Sequence, residues 1–220
     1  MPASLDRREL VKILGGVLAA LPVSNMLAGC SNNATAGSSA ADSAGNSSES
    51  DAAASNSGNG SKTLVAFFSA TGHTHAVAQA AADALDADLF EITLAVPYGN
   101  EDLDYNNPDS RVSKEHEDES LRTLELARTT PEHFENYDTV LLGYPIWWGI
   151  AAWPTNDFAS GNDFTGKRVV PFCTSASSPI GQSGSNSAEL AGTGTWEEGT
   201  RFPSSTSADE VANWAVSLSQ

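Results

Sequence analysis

Runs of apolar residues, separated by polar turns, recur along residues 62–220 of this chain and predict strands. Three of the runs are nearly continuous, which is typical of strands covered on both faces, and one segment alternates between apolar and polar positions. These four strands are predicted at 62–68, 88–93, 139–143 and 167–173. A fifth strand is expected within 194–202, where Gly199 and two glutamates interrupt the apolar pattern.

Helical patterns fill some of the segments between these strands. Apolar residues recur at three- and four-residue spacing over 75–85 and again over 209–218, which predicts helices with one buried face. A third helix is expected near 117–128, after a long polar stretch at 97–120. Strands that alternate with helices predict right-handed crossovers and an α/β fold, so residues 62–220 are expected to form a three-layer sandwich around a five-stranded parallel sheet.

The first 30 residues have the pattern of an export signal. Arg7, Arg8 and Lys12 precede an apolar run at 13–27, which is the arrangement of a secretory signal peptide. The run closes with Leu-Ala-Gly-Cys30, which resembles a bacterial lipobox and implies a lipid-modified thiol at Cys30. The arginine pair resembles a twin-arginine export signal, with an ordinary secretion signal as the alternative. We therefore expect a lipoprotein signal peptide and an anchor on the outer side of a bacterial membrane.

Residues 31–61 differ in composition from everything that follows them. They consist almost wholly of Ser, Ala, Asn and Gly with a few acidic residues. Such a segment has little apolar surface to bury and cannot offset the entropy of ordering its chain. A flexible linker is therefore expected between the signal segment and the domain at 62–220.

The charge balance excludes one class of partner and favours another. The net charge of the chain is −17, and such a field repels the phosphates of nucleic acids. We expect no nucleic-acid binding, and the charge favours a protein partner with a basic docking face. An acidic surface that simply keeps an exported protein soluble is the alternative. The two cysteines, Cys30 and Cys173, are not expected to form a disulfide, and no metal-ligand spacing is present.

Three segments that follow predicted strands carry the candidate chemistry, because ligands of such sheets bind at the carboxyl ends of the strands. Residues 69–74 place small hydroxyl side chains and a glycine before a helix, where free backbone amides suit a phosphate group. The segment lacks a lysine, so the phosphate would be bound and not transferred. The alternative interpretation is that these Ser and Thr side chains only cap the N-terminus of the helix.

The other two segments suit a flat ring. Residues 144–154 hold three tryptophans within seven positions, and indole faces can stack on another aromatic system. Packing in a core or against a partner is the alternative for these tryptophans. Residues 174–184 are small, polar and glycine-containing, which suits the presentation of backbone groups to the edge of a ring.

Together the three segments resemble the FMN loops of short-chain flavodoxin-like proteins. The matching stretches are Phe68-Ser-Ala-Thr-Gly-His-Thr74, Gly143-Tyr-Pro-Ile-Trp-Trp-Gly149, Asp163-Phe-Thr-Gly-Lys167 and Pro171-Phe-Cys-Thr-Ser175. The first loop of the family usually reads Thr-Gly-Asn-Thr, and His73 stands here in place of the asparagine. The resemblance covers 62–220 and implies a flavodoxin-like fold with FMN as the cofactor.

The resemblance also implies which residues bind FMN. The first loop would hold the phosphate, the second would lie along the isoalloxazine with Trp147 or Trp148 stacking on it, and the third would meet the polar edge of the ring. These cofactor-binding residues are Ser69, Ala70, Thr71, Gly72, His73, Thr74, Pro145, Ile146, Trp147, Trp148, Gly149, Thr174, Ser175, Ala176 and Gly181. No catalytic residue and no metal ligand is expected.

The sequence therefore predicts a membrane-anchored FMN protein that transfers electrons outside the cytoplasm to or from a redox protein partner. Two alternatives stay open. One is an NAD(P)H-dependent quinone or nitro reductase on the same fold, and the other is a lipoprotein that binds a ligand without redox chemistry.

Overall fold

The computed structural model describes residues 62–218, and strands occur in each of the five segments where the sequence predicts them. In chain order the strands are β1 (Thr63–Phe67), β2 (Asp88–Glu91), β3 (Thr139–Trp147), β4 (Ile150–Ala151), β5 (Arg168–Thr174), β6 (Thr195–Trp196) and β7 (Thr200–Phe202). The predicted strand at 88–93 is shorter than expected, because the ladder with β1 ends at the pair Phe67–Glu91.

The central sheet is parallel, and its order is β2-β1-β3-β5 followed by a fifth position. Two short strands share that position, since β6 pairs with the beginning of β5 and β7 pairs with its end. The strand β4 lies off this path and pairs antiparallel with the end of β3. This order is that of the flavodoxin-like doubly wound fold, which confirms the predicted fold class.

Helices cover both faces of the sheet. They are α1 (His73–Leu85), α2 (Arg111–Glu117), α3 (Pro154–Ser160), α4 (Ser183–Ala191) and α5 (Ala208–Ser217). The predicted helices at 75–85 and 209–218 are present as α1 and α5, and these two helices pack on the same face. The sequence patterns missed α3 and α4, and α4 begins before the end of the predicted loop at 174–184.

Successive residues of each strand point to opposite faces and build two separate cores. Val65 and Phe67 of β1 pack with α1 and α5 in one core. Leu64 and Ala66 pack in the other, together with Phe158 of α3. Because both faces of the central strands are buried, their sequences read as nearly continuous apolar runs.

The helix expected near 117–128 is wrong. The helix in this region is α2, which begins six residues earlier and ends at Glu117. Ser110 caps its first turn by accepting a hydrogen bond from the backbone N–H of Ser113, 3.2 Å away. A short 3-10 turn follows at Glu119–Arg122, and the chain then runs extended, so that Leu126 forms a bridge to Leu94. A long-range pairing therefore replaces the helix.

The expectations for 1–30 and 31–61, including lipidation of Cys30, lie outside the described residues. Within 62–218, no helix combines the length and the apolar character that crossing a bilayer requires.

Candidate functional site

A cleft of about 580 Å³ lies where β1, β3 and β5 end, and the ends of these strands together with the segments that follow them supply most of its walls. Parallel strands bring their carboxyl ends to one edge of the sheet, so loops that are far apart in sequence meet there. The volume is within the usual range for sites that hold a cofactor-sized molecule. The predicted residues that line this cleft are Ala70, Thr71, His73, Pro145, Ile146, Trp147, Trp148, Thr174, Ser175 and Ala176.

The first loop is a turn that opens helix α1. The Oγ atom of Ser69 accepts hydrogen bonds from the backbone N–H groups of Gly72, at 3.1 Å, and His75, at 3.2 Å. Within the described residues, the N–H groups of Ala70, Thr71, His73 and Thr74 have no hydrogen-bond acceptor. Free amides at a helix N-terminus attract anions, so this end of the cleft suits a phosphate group.

The second loop is a two-residue hairpin turn that joins β3 to β4. Trp147 pairs with Ile150 across the turn, and the two residues between them, Trp148 and Gly149, have φ angles of +45° and +85°. This is the pattern of a type I′ turn, in which glycine is favoured and a bulky residue costs about 1–2 kcal/mol. The turn places the Trp148 side chain at the rim of the cleft, where 43% of it is exposed.

The two neighbouring tryptophans lie in different surroundings. Trp148 stacks on the imidazole of His116, with ring centres 4.2 Å apart and planes at 12°. Trp147 instead makes edge contacts with Phe68, Tyr98 and Trp153, at centroid distances of 4.8 to 5.6 Å. Trp148 also lies nearly parallel to the Trp153 ring, with ring centres 5.9 Å apart and planes at 20°. Trp147 is therefore supported by three aromatic side chains, and Trp148 is supported by His116 and Trp153 but stays partly exposed to solvent.

A buried carboxylate supports this aromatic wall. Glu115 of α2 is only 3% exposed and accepts hydrogen bonds from Tyr98 Oη at 2.6 Å, Trp153 Nε1 at 2.8 Å and Arg111 Nε at 2.8 Å. Burial and the hydrogen bond to Glu115 raise the pKa of Tyr98 well above its usual range. The phenol therefore stays protonated and keeps donating to the carboxylate.

The third loop is held by hydrogen bonds from two directions. The hydroxyl groups of Thr74 and Thr174 lie 2.8 Å apart in a buried contact, which links this loop to the first one. Arg201 of β7 donates from Nε to Ser175 Oγ at 2.8 Å and from Nη2 to the carbonyl oxygen of Ala176 at 2.9 Å. Arg201 was not predicted from the sequence, and it orders the loop that lines the cleft.

Five predicted residues do not line the cleft: Ser69, Gly72, Thr74, Gly149 and Gly181. The first four adjoin it through the turns and hydrogen bonds described above, and Gly181 lies before α4. The sequence patterns also missed several lining residues, which are Ala76, Val77, Leu103, Tyr105, Val112, Phe202, Pro203, Ser204 and Thr206. The aromatic and apolar character of Tyr105 and Leu103 within the polar stretch 97–120 was the available signal.

The lining of the cleft carries very little charge. Among the described residues that form it there is no Asp, Glu, Lys or Arg, although the whole chain is strongly acidic. The nearby Cys173 is fully buried in β5, and burial raises the pKa of its thiol to about 12. The thiol is therefore protonated at neutral pH and has none of the reactivity of a thiolate.

The residues present fit a phosphate monoester that carries a flat aromatic system. Free amides and the Thr71 hydroxyl lie at one part of the cleft, and Trp147, Trp148 and Tyr105 supply ring faces and edges at another. Indole and phenol rings stack on planar ligands, and backbone amides donate to phosphate oxygens.

Comparison with known proteins agrees with this geometry. A family model described as flavodoxin matches residues 62–218. A solved structure from Bacteroides eggerthii, assigned as a flavoprotein, is 38% identical, covers 73% of this chain and 99% of its own, and has a TM-score of 0.65. A second solved structure, from Bacteroides uniformis and also assigned as a flavoprotein, is 37% identical. It covers 70% of this chain and 97% of its own, and has a TM-score of 0.64.

A flavoprotein from Lactobacillus acidophilus, solved in complex with FMN, is 23% identical, covers 71% of this chain and 99% of its own, and has a TM-score of 0.51. At this identity the likeness shows the fold. No curated protein matches the chain. On the family match over residues 62–218 and the 38% identity to the Bacteroides eggerthii structure, the chain belongs to the flavodoxin family.

Proposed function

We propose that the domain binds FMN and that the protein is a membrane-anchored electron carrier outside the cytoplasm. The observation that carries the proposal is the cleft, in which three separate loops combine free backbone amides with tryptophan side chains. Membership of the flavodoxin family supports the choice of FMN, as does the FMN complex of the Lactobacillus acidophilus flavoprotein.

The first loop would bind the phosphate through its free amides and the Thr71 hydroxyl. The walls formed by Trp147 and Trp148 would hold the ring and exclude water from its faces, and the ordered loop at Thr174–Ala176 would meet its polar edge. Bound FMN supplies reversible electron transfer. The protein contributes the binding groups, the orientation and an apolar setting.

The proposed anchor rests on the first 30 residues. The lipobox-like ending at Cys30 supports covalent lipid attachment, and the polar segment 31–61 would space the domain from the bilayer. The Arg7-Arg8 pair supports export of a protein that folds and takes up its cofactor before it crosses the membrane.

A Cys30→Ser variant tests the anchor. Because the variant cannot carry a diacylglycerol thioether, we expect it to move from the membrane fraction to the soluble fraction when cells of a bacterial host are lysed. Cys173→Ser serves as the matched control and should leave the protein in the membrane fraction. An unchanged distribution of Cys30→Ser would contradict lipid anchoring at this residue.

The surface beside the cleft supports a protein partner for electron transfer. Tyr105 and Trp148 both line the cleft and are 70% and 43% exposed, so aromatic surface is available there for contact. The surrounding segment 97–120 is rich in exposed acidic residues, including Glu117 and Glu119. A redox protein with a basic face would dock here by charge complementarity.

A reductase with its own small substrate is the second candidate. The exposed rings of Tyr105 and Trp148 favour it, because they offer a stacking surface for an aromatic acceptor such as a quinone or a nitroaromatic compound. Within residues 62–218 the lining offers no Lys or Arg for the phosphates of NAD(P)H, which weighs against a nicotinamide donor.

The first test is the binding of FMN to the full-length protein, purified under native conditions in detergent. We expect either a yellow protein with a shifted flavin spectrum or stoichiometric quenching of the fluorescence of added FMN. A colourless protein that does not quench FMN would overturn the cofactor and with it both redox functions. Turnover of a quinone with NADPH would favour the reductase, and exchange of electrons only with a protein would favour the carrier.

A further inference from the structure

Among the described residues of the cleft lining, His73 is the only one with a basic side chain. Among the described lining residues, the only other ionisable side chain is the phenol of Tyr105. His73 is exposed, is the first residue of α1, and lies next to the free N–H groups of Thr71 and Thr74. Among the described residues that line the cleft, the only imidazole therefore lies at the part that suits a phosphate.

The imidazole of His73 is not engaged elsewhere. Within residues 62–218 it has no hydrogen-bond or ion-pair partner, and the first turn of α1 contains no carboxylate. The next imidazole, that of His75, faces Glu91 at 3.9 Å and packs edge-on against the Phe67 ring. His73 is thus free to bind a ligand, whereas His75 faces an acid of the protein.

The charged groups on the elements packed around α1 are largely paired with each other. On β2, Asp88 pairs with Lys62, and Glu91 faces His75. On α5, Glu210 is held in the capping box with Ser207, and Asp209 is the other acidic residue of that first turn. On β7, Arg201 donates to the third loop. None of these charged groups lines the cleft beside His73.

We propose that His73 binds the FMN phosphate as an imidazolium, so that the contribution of His73 to FMN affinity grows as the pH falls from 8 to about 6. The inference rests on the proposed FMN function and concerns this chain's own residue. A histidine gains its proton between about pH 5 and 8, and the second ionisation of a phosphate monoester is near pH 6. Each charge favours the charged form of the other, so bound phosphate promotes protonation of the imidazole and the imidazolium favours the dianion.

The direction of the pH dependence follows from this coupling. A neutral imidazole contributes one ordinary hydrogen bond, and this is the form that histidine favours at pH 8. Near pH 6 it contributes a charge-assisted hydrogen bond, which is roughly twice as strong. A side chain that donates but does not titrate, such as asparagine, provides only the first of these contributions at every pH.

The experiment compares the full-length protein with its His73→Asn variant by quenching of FMN fluorescence at pH 8.0 and pH 6.0. Because each comparison is made at one pH, the phosphate's own titration affects both proteins alike. We expect the two dissociation constants for FMN to agree within about twofold at pH 8.0 and to differ by about five- to tenfold at pH 6.0, with the wild type tighter. His73→Gln should behave like His73→Asn.

Riboflavin, which lacks the phosphate, is the matched ligand control. Its affinity should be the same for the wild type and both variants at both pH values. A constant ratio of FMN affinities at pH 6.0 and 8.0, or an equal pH-dependent difference with riboflavin, would overturn the role of His73 and leave FMN binding intact. Failure of every protein to bind FMN would overturn the proposed function as well.

Discussion

Replacing Glu115 by alanine is expected to lower the free energy of unfolding by about 3–5 kcal/mol, which is the usual cost of removing one partner from a buried ionic network. The carboxylate is 3% exposed and accepts hydrogen bonds from Tyr98, Trp153 and Arg111. Without it, the Tyr98 hydroxyl loses its acceptor, the Trp153 indole N–H keeps only the longer hydrogen bond to Tyr98 Oη at 3.1 Å, and the Arg111 guanidinium loses its counter-charge in a setting mostly closed to water.

Urea denaturation of the purified protein measures this loss. Glu117→Ala is the matched control, because Glu117 is exposed on the same helix and its removal should change the free energy of unfolding by less than about 0.5 kcal/mol. Glu115→Gln keeps an acceptor oxygen but not the charge. Its decrease in the free energy of unfolding should therefore lie between those of Glu115→Ala and Glu117→Ala. If Glu115→Ala were as mild as Glu117→Ala, the network would contribute nothing to stability.

The second large effect is expected at Gly143, in the middle of β3. A Cβ atom there would lie 2.2 Å from Cζ and 2.5 Å from Cε2 of Phe172, which is far inside contact distance. The Phe172 ring is fully buried and packs against Phe202 and Trp214, so it has little room to move away. Gly143→Ala should therefore cost about 3 kcal/mol or more, at the upper end of overpacking effects.

A double-mutant cycle separates this overlap from other causes. In a Phe172→Leu background the shorter side chain leaves space for the added methyl group, so Gly143→Ala should cost much less there than in the wild type. Gly99→Ala is the control, since a Cβ at Gly99 meets only Asp102 Oδ2 at an ordinary 3.5 Å. Equal costs of Gly143→Ala in both backgrounds would contradict the proposed overlap.

The sheet was largely predictable because its signal is local. Strands β1, β3 and β5 are buried on both faces, so their apolar runs stand out without knowledge of their neighbours. The helix near 117–128 was wrong for the opposite reason. In α2 a buried position is occupied by Glu115, whose burial depends on partners supplied by distant segments, and the extended run at Leu126 depends on a bridge to Leu94.

The three segments of the candidate site were predictable because each lies at the end of a strand or directly after it. β3 runs four residues beyond its predicted end and includes Pro145–Trp147, and Thr174 is the last residue of β5. What the sequence patterns could not show was which distant residues complete the walls. Leu103 and Tyr105 lie in a polar stretch that has no regular period, and they reach the cleft only through the packing of that segment. Arg201 likewise acts on a loop 25 residues away, through hydrogen bonds that no local pattern encodes.

The division of the fifth sheet position between β6 and β7 has a consequence for self-association. A long, continuous edge strand can pair with the edge of another molecule and start aggregation. Here that edge consists of strands of two and three residues, separated by residues 197–199, which belong to no strand, and the opposite edge is the four-residue β2 with acids at both ends. Among the described residues, neither edge is a long template, so pairing of edge strands between copies of the chain is disfavoured.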